Sequence, residues 1–202
     1  MKIAIMTFDG FNELDSFVAS AILNRIQLPG WKAEIVAPTE TVTSMNGVQV
    51  RAQQPLSFAN EADVVLFGSG IKSREISQNA TIMSALTLSP ERQLIGSQCS
   101  GALFLHHLNL VNDMPICADL TTRPFLEELG ATVINKAFNI NGNIATAGGC
   151  LSSQYLAMWV IASTIGIDEA KEAIRYVAPV GQQDEYVDRA VATLANGFNG
   201  HK

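Results

Sequence analysis

Short apolar runs alternate with stretches of helical periodicity along the whole chain. Near-continuous apolar runs of five to eight residues are typical of strands that are buried on both faces of a parallel sheet. We therefore predict strands in KIAIMTF, WKAEIVAP, ADVVLFG and QLIGSQ. ELDSFVASAILNRI is predicted to be a helix with Phe17, Ala21 and Ile22 on its apolar face.

Further helical patterns occur at 79–88, after Cys99, around TTRPFLEELG, in CLSSQYLAMWVIASTIG and in two terminal segments joined by a predicted loop at 176–187. Asn-Gly pairs at 46–47 and 141–142 predict tight turns between strands. Alternation of strand and helix predicts an α/β fold, a three-layer sandwich with a mainly parallel sheet, as in flavodoxin-like proteins. One domain is expected over residues 1–202.

Composition excludes several classes of function. The chain is 48% hydrophobic and 16% charged, with a net charge of −6. It has no cluster of Lys and Arg of the kind that binds nucleic acid, and no apolar run of about 20 residues that could cross a membrane. The three cysteines are widely spaced and form no disulfide framework or zinc motif. We expect a reduced, cytoplasmic protein.

The stretch GSQCSGALFL places one cysteine, Cys99, where a strand is predicted to pass directly into a helix. A side chain at such a turn is exposed near helical amides that favour a thiolate. The small neighbours Ser97 and Gly101 resemble those of a hydrolase nucleophile elbow, and the amide of Ser100 is a natural oxyanion donor. The alternative is a buried cysteine followed by a helix-capping serine.

Two other predicted strand ends hold candidate residues. Gly70 in FGSG could direct a second amide toward Cys99, or it could belong to an ordinary glycine-rich turn. Glu13 and Asp15 follow the first strand, where an acid could exchange a proton with a thiol. The alternative is that both are capping or first-turn acids that interact with the helix dipole.

No histidine is well placed as a base for Cys99. His106 and His107 lie about two turns along the helix that follows the cysteine, and His201 lies in the terminal tail. A metal site built from Cys99, His106, His107 and Cys117 is disfavoured, because adjacent helical positions point in different directions. Cys117 and Cys150 are interpreted as small packed residues, and Phe8, Phe11 and Trp159 as aromatic core.

Four segments together resemble the ThiJ/PfpI superfamily, the cysteine branch of the class I glutamine amidotransferase-like fold. They are MTFDGFNELD, VVLFGSG, IGSQCSGALFL and NGNIATAGG, and the similarity covers about residues 1–165. The resemblance implies that Cys99 is the elbow nucleophile and Asp15 the acid that contacts it, with Glu13 at the surface. It further implies that Gly70 supplies an oxyanion amide and that Ser100 steadies the catalytic group.

The chain departs from the family at the position where many members have a histidine. Asp119, in CADLTTR, is nearest to that position, and FGSG stands where Pro-Gly-Gly is frequent. The branch similar to isonitrile hydratase relies on a Cys and an Asp, which this sequence retains. The resemblance therefore implies a cysteine-dependent hydratase or lyase acting on a small molecule.

Two alternatives to the hydratase remain open. One is a glyoxalase or deglycase acting on reactive carbonyls, and the other is a non-catalytic sensor in which Cys99 is oxidised. No metal and no organic cofactor is implied. Superfamily members commonly form homodimers, which we expect here as well.

Overall fold

A seven-stranded sheet forms the centre of the computed structural model, which describes residues 1–195 and 197. Its strands lie in the order β5-β2-β1-β6-β7-β9-β8, and every neighbouring pair is parallel except β8 and β9. The strands are β1 (Lys2–Met6), β2 (Lys32–Ala37), β5 (Gln54–Pro55), β6 (Val64–Phe67), β7 (Leu94–Gln98), β8 (Phe138–Asn141) and β9 (Ile144–Ala147). The predicted α/β architecture with a mainly parallel sheet is confirmed.

Helices cover both faces of this sheet. They are α1 (Glu13–Leu23), α2 (Ser73–Ile76), α3 (Ala80–Ser84), α4 (Ala102–His107), α5 (Arg123–Glu128), α6 (Ser153–Thr164), α7 (Ile167–Val177) and α8 (Gln183–Ala195). Short 3-10 turns occupy Leu56–Asn60, Cys99–Gly101 and Cys150–Ser152. The loop between α7 and α8 is shorter than the predicted 176–187, since both helices extend into that range.

Alternate residues of each strand enter different cores. Ile3 and Ile5 of β1 pack beneath α1, α6, α7 and α8, whereas Ala4 and Met6 face the side covered by α4 and α5. This division follows from the two-residue period of a strand, and it explains the near-continuous apolar runs in the sequence. Full burial of each large side chain contributes about 1.5–3 kcal/mol relative to its exposure.

The aromatic residues Phe8, Phe11 and Trp159 are 6%, 1% and 1% exposed, as expected for core positions. Phe8 stacks on Phe104 with ring centroids 4.7 Å apart.

The apolar face predicted for α1 was wrong in part. Of its three predicted residues, Phe17 and Ala21 are exposed and only Ile22 is buried. The helix buries small and polar residues in its first two turns, where it lies over the site described below, and large apolar residues only at its end.

Both predicted Asn-Gly turns are confirmed. Asn46 and Gly47 connect β3 (Thr41–Thr43) and β4 (Gln49–Arg51), an antiparallel hairpin outside the main sheet. Gly142 has a φ of +58° between β8 and β9. In the described part of the chain, no helix combines the length and apolar character needed to cross a membrane.

Candidate active site

Four neighbouring strands, β1, β6, β7 and β9, end at the same edge of the sheet. Asp15 lies in the first turn of α1 after β1, Gly70 follows β6, Cys99 follows β7 and Cys150 follows β9. Parallel α/β sheets commonly bind ligands beyond the carboxyl ends of their strands. The topology therefore brings residues from distant parts of the sequence to one place.

Cys99 has an unusual backbone for a residue other than glycine. Its φ is +50°, it begins a 3-10 turn directly after β7, and its side chain is buried, with 3% of the residue exposed. Left-handed backbone at a β-carbon-bearing residue is strained, and such strain is common at functional sites. The strand, the strained cysteine and the following helical turn together have the form of a nucleophile elbow.

Gly101 makes this turn possible. A Cβ atom at Gly101 would lie 2.5 Å from the carbonyl oxygen of Phe67 and 2.9 Å from that of Gly68. These are backbone atoms at the end of β6, so they cannot move aside as a flexible side chain would. The glycine two residues after Cys99 therefore allows the elbow to pack against the neighbouring strand.

Asp15 lies beside Cys99 and is 2% exposed. Burial raises the pKa of its carboxyl group. The side chains of Ser69, Cys150 and Cys99 oppose this rise, but no described residue forms a hydrogen bond of good geometry to either oxygen. The N-cap of α1 is Asn12, whose side chain accepts a hydrogen bond from Leu14, so Asp15 does not cap the helix.

The thiol of Cys99 differs from the expected thiolate. Burial raises its pKa far above the ordinary value, and the charges of Asp15, Cys150 and Asp119 raise it further. The helix that follows, α4, has six residues and begins only after a 3-10 turn. Burial, followed by the neighbouring charges, therefore dominates the pKa of Cys99.

Cys150 was wrongly interpreted as a packed residue. It is half-buried, and its sulfur lies within 4.8 Å of both the Cys99 sulfur and an oxygen of Asp15. Asn12 Nδ2 donates a hydrogen bond to Cys150 Sγ at 3.2 Å. Cys117 does fit the packing interpretation: it is fully buried, and burial raises its pKa to about 11.

Gly70 and Ser100 contact each other at the mouth of the site. The Gly70 amide donates to Ser100 Oγ at 3.2 Å, and Ser100 Oγ donates to Ser73 Oγ at 2.9 Å. Gly70 also packs against the loop after β1, where a Cβ atom would lie 2.5 Å from the carbonyl oxygen of Gly10. The Gly70 amide, which the sequence predicts to bind an oxyanion, is therefore already hydrogen-bonded to the Ser100 hydroxyl.

Asp119 lies in the wall of the cavity, but its carboxylate already accepts hydrogen bonds from the two threonines that follow it. It accepts hydrogen bonds from the amides of Thr121 and Thr122, both at 2.9 Å, and from the Thr122 hydroxyl at 2.7 Å. Burial raises its pKa, yet the hydrogen bonds from Thr121 and Thr122 outweigh burial and leave the pKa lowered. Asp119 is therefore an anionic turn residue, and the described residues that line the cavity include no histidine.

The remaining sequence candidates lie outside the cavity. Glu13 accepts hydrogen bonds from Ser44 Oγ and from Asn46 Nδ2, which fasten the β3–β4 hairpin to the start of α1 and lower the pKa of Glu13. His106 and His107 lie at the end of α4. His201 lies outside the described residues.

A cavity of about 360 Å³ opens above Cys99. Apolar side chains line much of it, namely Met45, Ile71, Leu103 and Phe125. Arg74, which the sequence analysis did not identify, lies at this cavity with its guanidinium carbon 3.9 Å from the centre of the Phe125 ring. No sequence motif marks Arg74, because it reaches the cavity from the short helix α2.

This fold and site define a class of α/β proteins in which a cysteine on an elbow lies beside an acid. The DJ-1/PfpI family model matches residues 1–163, and the chain belongs to this family. The extent of the resemblance predicted from the sequence is thereby confirmed.

Solved structures agree on the fold. Schizosaccharomyces pombe DJ-1 is 17% identical, with a TM-score of 0.75 over 89% of this chain and 100% of that chain. A THiJ/PfpI family protein from Pseudomonas syringae is 18% identical, with a TM-score of 0.77 over 95% of this chain and 89% of that chain. Comparison with curated protein sequences gives no match.

Proposed function

We propose that the protein is a cysteine-dependent hydratase of small molecules, of the isonitrile hydratase type, with Cys99 as nucleophile and Asp15 as acid and base. The observation that supports this most directly is the buried Asp15 carboxyl beside the Cys99 sulfur. A carboxyl of raised pKa is suited to exchanging protons near neutral pH. The absence of histidine among the described cavity residues favours a reaction that needs only these two groups.

Asp15 and Cys99 together can perform the proton transfers of such a hydration. Asp15 takes the thiol proton as the Cys99 sulfur bonds to the terminal carbon of the isonitrile, and it returns that proton to the same carbon. A water then adds to the resulting thioimidate, and its proton passes to the nitrogen by way of Asp15. Cleavage of the C–S bond with transfer of the hydroxyl proton back to sulfur releases an N-substituted formamide and the free thiol.

The surroundings of Cys99 suit a small, largely neutral substrate. The cavity volume of about 360 Å³ falls within the usual range for small ligands, and its apolar lining favours an uncharged group. The amide of Ser100 would stabilise developing negative charge. The amide of Gly70 would join it when the Ser100 hydroxyl rotates away, and no metal or organic cofactor is needed.

The proposal is tested by incubating the reduced protein with small alkyl and aryl isonitriles and measuring formamide by mass spectrometry. We expect turnover by wild-type protein and by the control Cys117→Ser, and loss of at least about a hundredfold in Cys99→Ala and Asp15→Asn. Turnover by Cys99→Ala would exclude the mechanism. Production of lactate from methylglyoxal, without formamide from isonitriles, would instead support a glyoxalase.

A cysteine redox sensor is the second candidate, favoured by the position of Cys150 beside Cys99. A hydroperoxide would oxidise one thiol to a sulfenic acid and leave as the alcohol, and the second thiol would displace water to form a disulfide. Peroxide-dependent formation of a Cys99–Cys150 disulfide, in a protein inactive on all substrates above, would support the sensor. Equal oxidation of Cys117 would contradict it.

We also propose that the protein is a cytoplasmic homodimer. Exposed apolar residues at the start of α1 and on the β3–β4 hairpin lie near each other, because Glu13 bonds to that hairpin; they are Leu14, Phe17, Met45 and Val48. Such a patch suits an isologous contact. A monomeric mass in solution at micromolar concentration would contradict the homodimer.

A further inference from the structure

The polar atoms around the two sulfurs are incompletely satisfied. Both carboxyl oxygens of Asp15 and the Oε1 atom of Gln98 are buried without a hydrogen-bond partner among the described residues. Leaving a buried polar atom unpaired costs about 1–3 kcal/mol, so several such atoms in one place indicate that a binding partner belongs there. The mechanism above uses Asp15 as a proton carrier and leaves Cys150 and Gln98 without a role.

Three of the groups in this place are metal ligands of suitable spacing. The sulfur atoms of Cys99 and Cys150 and a carboxyl oxygen of Asp15 all lie within 4.8 Å of one another. Around a tetrahedral zinc ion with bonds of about 2.0–2.3 Å, neighbouring ligand atoms are about 3.5–3.8 Å apart. A contraction of about 1.3 Å at most would bring these three atoms into such a shell.

Each sulfur also has an amide donor beside it. Asn12 Nδ2 donates to Cys150 Sγ at 3.2 Å, and Gln98 Nε2 donates to Cys99 Sγ at 3.6 Å. Hydrogen bonds of this kind orient ligand sulfurs and stabilise their thiolate form when a metal is bound. Asn12 is itself fixed as the N-cap of α1, so the Cys150 ligand is held by a rigid element.

A bound cation would reverse the unfavourable interaction among the negative charges of Asp15, Cys99 and Cys150. Burial raises the pKa of Asp15, Cys99 and Cys150, and the Asp15 carboxylate raises the pKa of both thiols further. A divalent cation at the centre of the three groups would replace their mutual repulsion with attraction to the ion. The same proximity that disfavours three separate anions thus favours a shared cation.

We propose that Asp15, Cys99 and Cys150 form a binding site for a thiophilic divalent cation such as Zn²⁺, with a fourth position open to the cavity. Two thiolates and one carboxylate are ligands that zinc prefers, and three protein ligands with an open position are common in zinc sites. Binding displaces two thiol protons and occupies the Cys99 sulfur. The cation therefore competes with the proposed hydration, although the inference does not depend on that reaction.

Binding is measured by titrating the fully reduced protein with Zn²⁺ against a chromophoric chelator, and with Co²⁺ as a spectroscopic probe of sulfur ligation. We expect one ion per chain, thiolate-to-cobalt charge-transfer bands, and tighter binding at higher pH because protons are released. Cys150→Ser should weaken Zn²⁺ binding at least about tenfold and reduce the charge-transfer intensity, and Asp15→Asn should weaken binding while retaining both sulfur ligands. Cys117→Ser is the matched control and should bind as wild type does.

Two results would overturn the site. One is Zn²⁺ binding by wild type that is no tighter than binding by the double variant Cys99→Ser/Cys150→Ser. The other is equal weakening by Cys117→Ser and Cys150→Ser. Thermal unfolding of each metal-free variant establishes that the fold is intact. Because binding is read without any substrate, a protein inactive on isonitriles that still binds Zn²⁺ would contradict only the proposed hydratase.

Discussion

Gln98 Nε2 donates a hydrogen bond of 2.6 Å to the carbonyl oxygen of Gly149. Gln98 is the last residue of β7 and precedes Cys99, whereas Gly149 follows β9 and precedes Cys150. One buried side chain therefore joins the two turns that hold the two sulfurs. The separation of Cys99 and Cys150 is set by this connection as well as by the pairing of β7 with β9.

Removal of the hydrogen bond between Gln98 and Gly149 should lower both the stability of the protein and its affinity for Zn²⁺. Gln98→Met retains the length of the side chain but removes the donor to the Gly149 carbonyl, and because this hydrogen bond is part-buried we expect a loss of about 0.5–1.5 kcal/mol in the free energy of unfolding. Zn²⁺ affinity should fall as the two turns separate. Urea unfolding and metal titration measure the two effects, and unchanged values for both would show that β-sheet pairing alone positions the cysteines.

Asp15 should make the folded protein less stable at neutral pH. Its raised pKa means that the native state binds the proton more tightly than the unfolded chain does. Its contribution is therefore most favourable below the unfolded-chain pKa of about 3.9 and is lost as the pH rises toward the folded-state pKa. Each unit of difference between these pKa values corresponds to about 1.4 kcal/mol.

The variant Asp15→Asn tests this directly, because an amide of the same shape carries no charge. We expect Asp15→Asn to be more stable than wild type at pH 7 and the difference to disappear near pH 4 and below. Chemical denaturation across this pH range gives the measurement. A variant less stable than wild type at neutral pH would mean that the ionised Asp15 carboxylate stabilises the fold.

Alkylation should distinguish the three cysteines. Half-buried Cys150 should react first with iodoacetamide. The reaction of Cys99 should have a pH midpoint above the free-thiol pKa of about 8.5. Fully buried Cys117 should react only when the protein unfolds. In Asp15→Asn the Cys99 midpoint should move to lower pH, because a neighbouring negative charge is removed. Peptide mass spectrometry resolves the sites, and a Cys99 midpoint well below 8 would instead indicate a stabilised thiolate.

The sheet was predictable because its residues follow one simple rule. Strands β1 and β6 are buried on both faces, so each is a near-continuous apolar run in the sequence, whereas β7 starts with the apolar pair Leu94 and Ile95 and ends in small and polar residues at the site. The face of α1 was not predictable in the same way. Its first turn packs Asp15 and Ser16 against the functional site, so polar residues are buried where periodicity alone favours Phe17.

The site was only partly predictable. Cys99 was identifiable because strand, thiol and small residues are adjacent in the sequence, and Asp15 because a family resemblance singled it out. Cys150 belongs to the same cluster through the pairing of β7 with β9, a relationship between residues about fifty positions apart. Nothing local in AGGC distinguishes a sulfur that faces Cys99 from one that is packed in the core.

Gly101 should be required for the geometry of the elbow. Its φ is not positive, so the reason is close packing rather than backbone conformation. In Gly101→Ala the new methyl group would meet the Phe67 carbonyl oxygen at 2.5 Å, so the elbow must shift away from β6. We expect a loss of about 1–3 kcal/mol in the free energy of unfolding. A displacement of about 1 Å at the Cys99 sulfur should also lower kcat/KM by about a hundredfold.

Gly142→Ala is the matched control, because Gly142 has a φ of +58° but open space around its Cβ position. That variant should lose about 1–2 kcal/mol through backbone strain in the β8–β9 turn while retaining activity and Zn²⁺ binding. If Gly101→Ala fails to fold and Gly142→Ala folds, close packing at the elbow rather than general intolerance of a methyl group is responsible. Wild-type stability and activity in Gly101→Ala would show that the elbow can move away from β6 without consequence for Cys99.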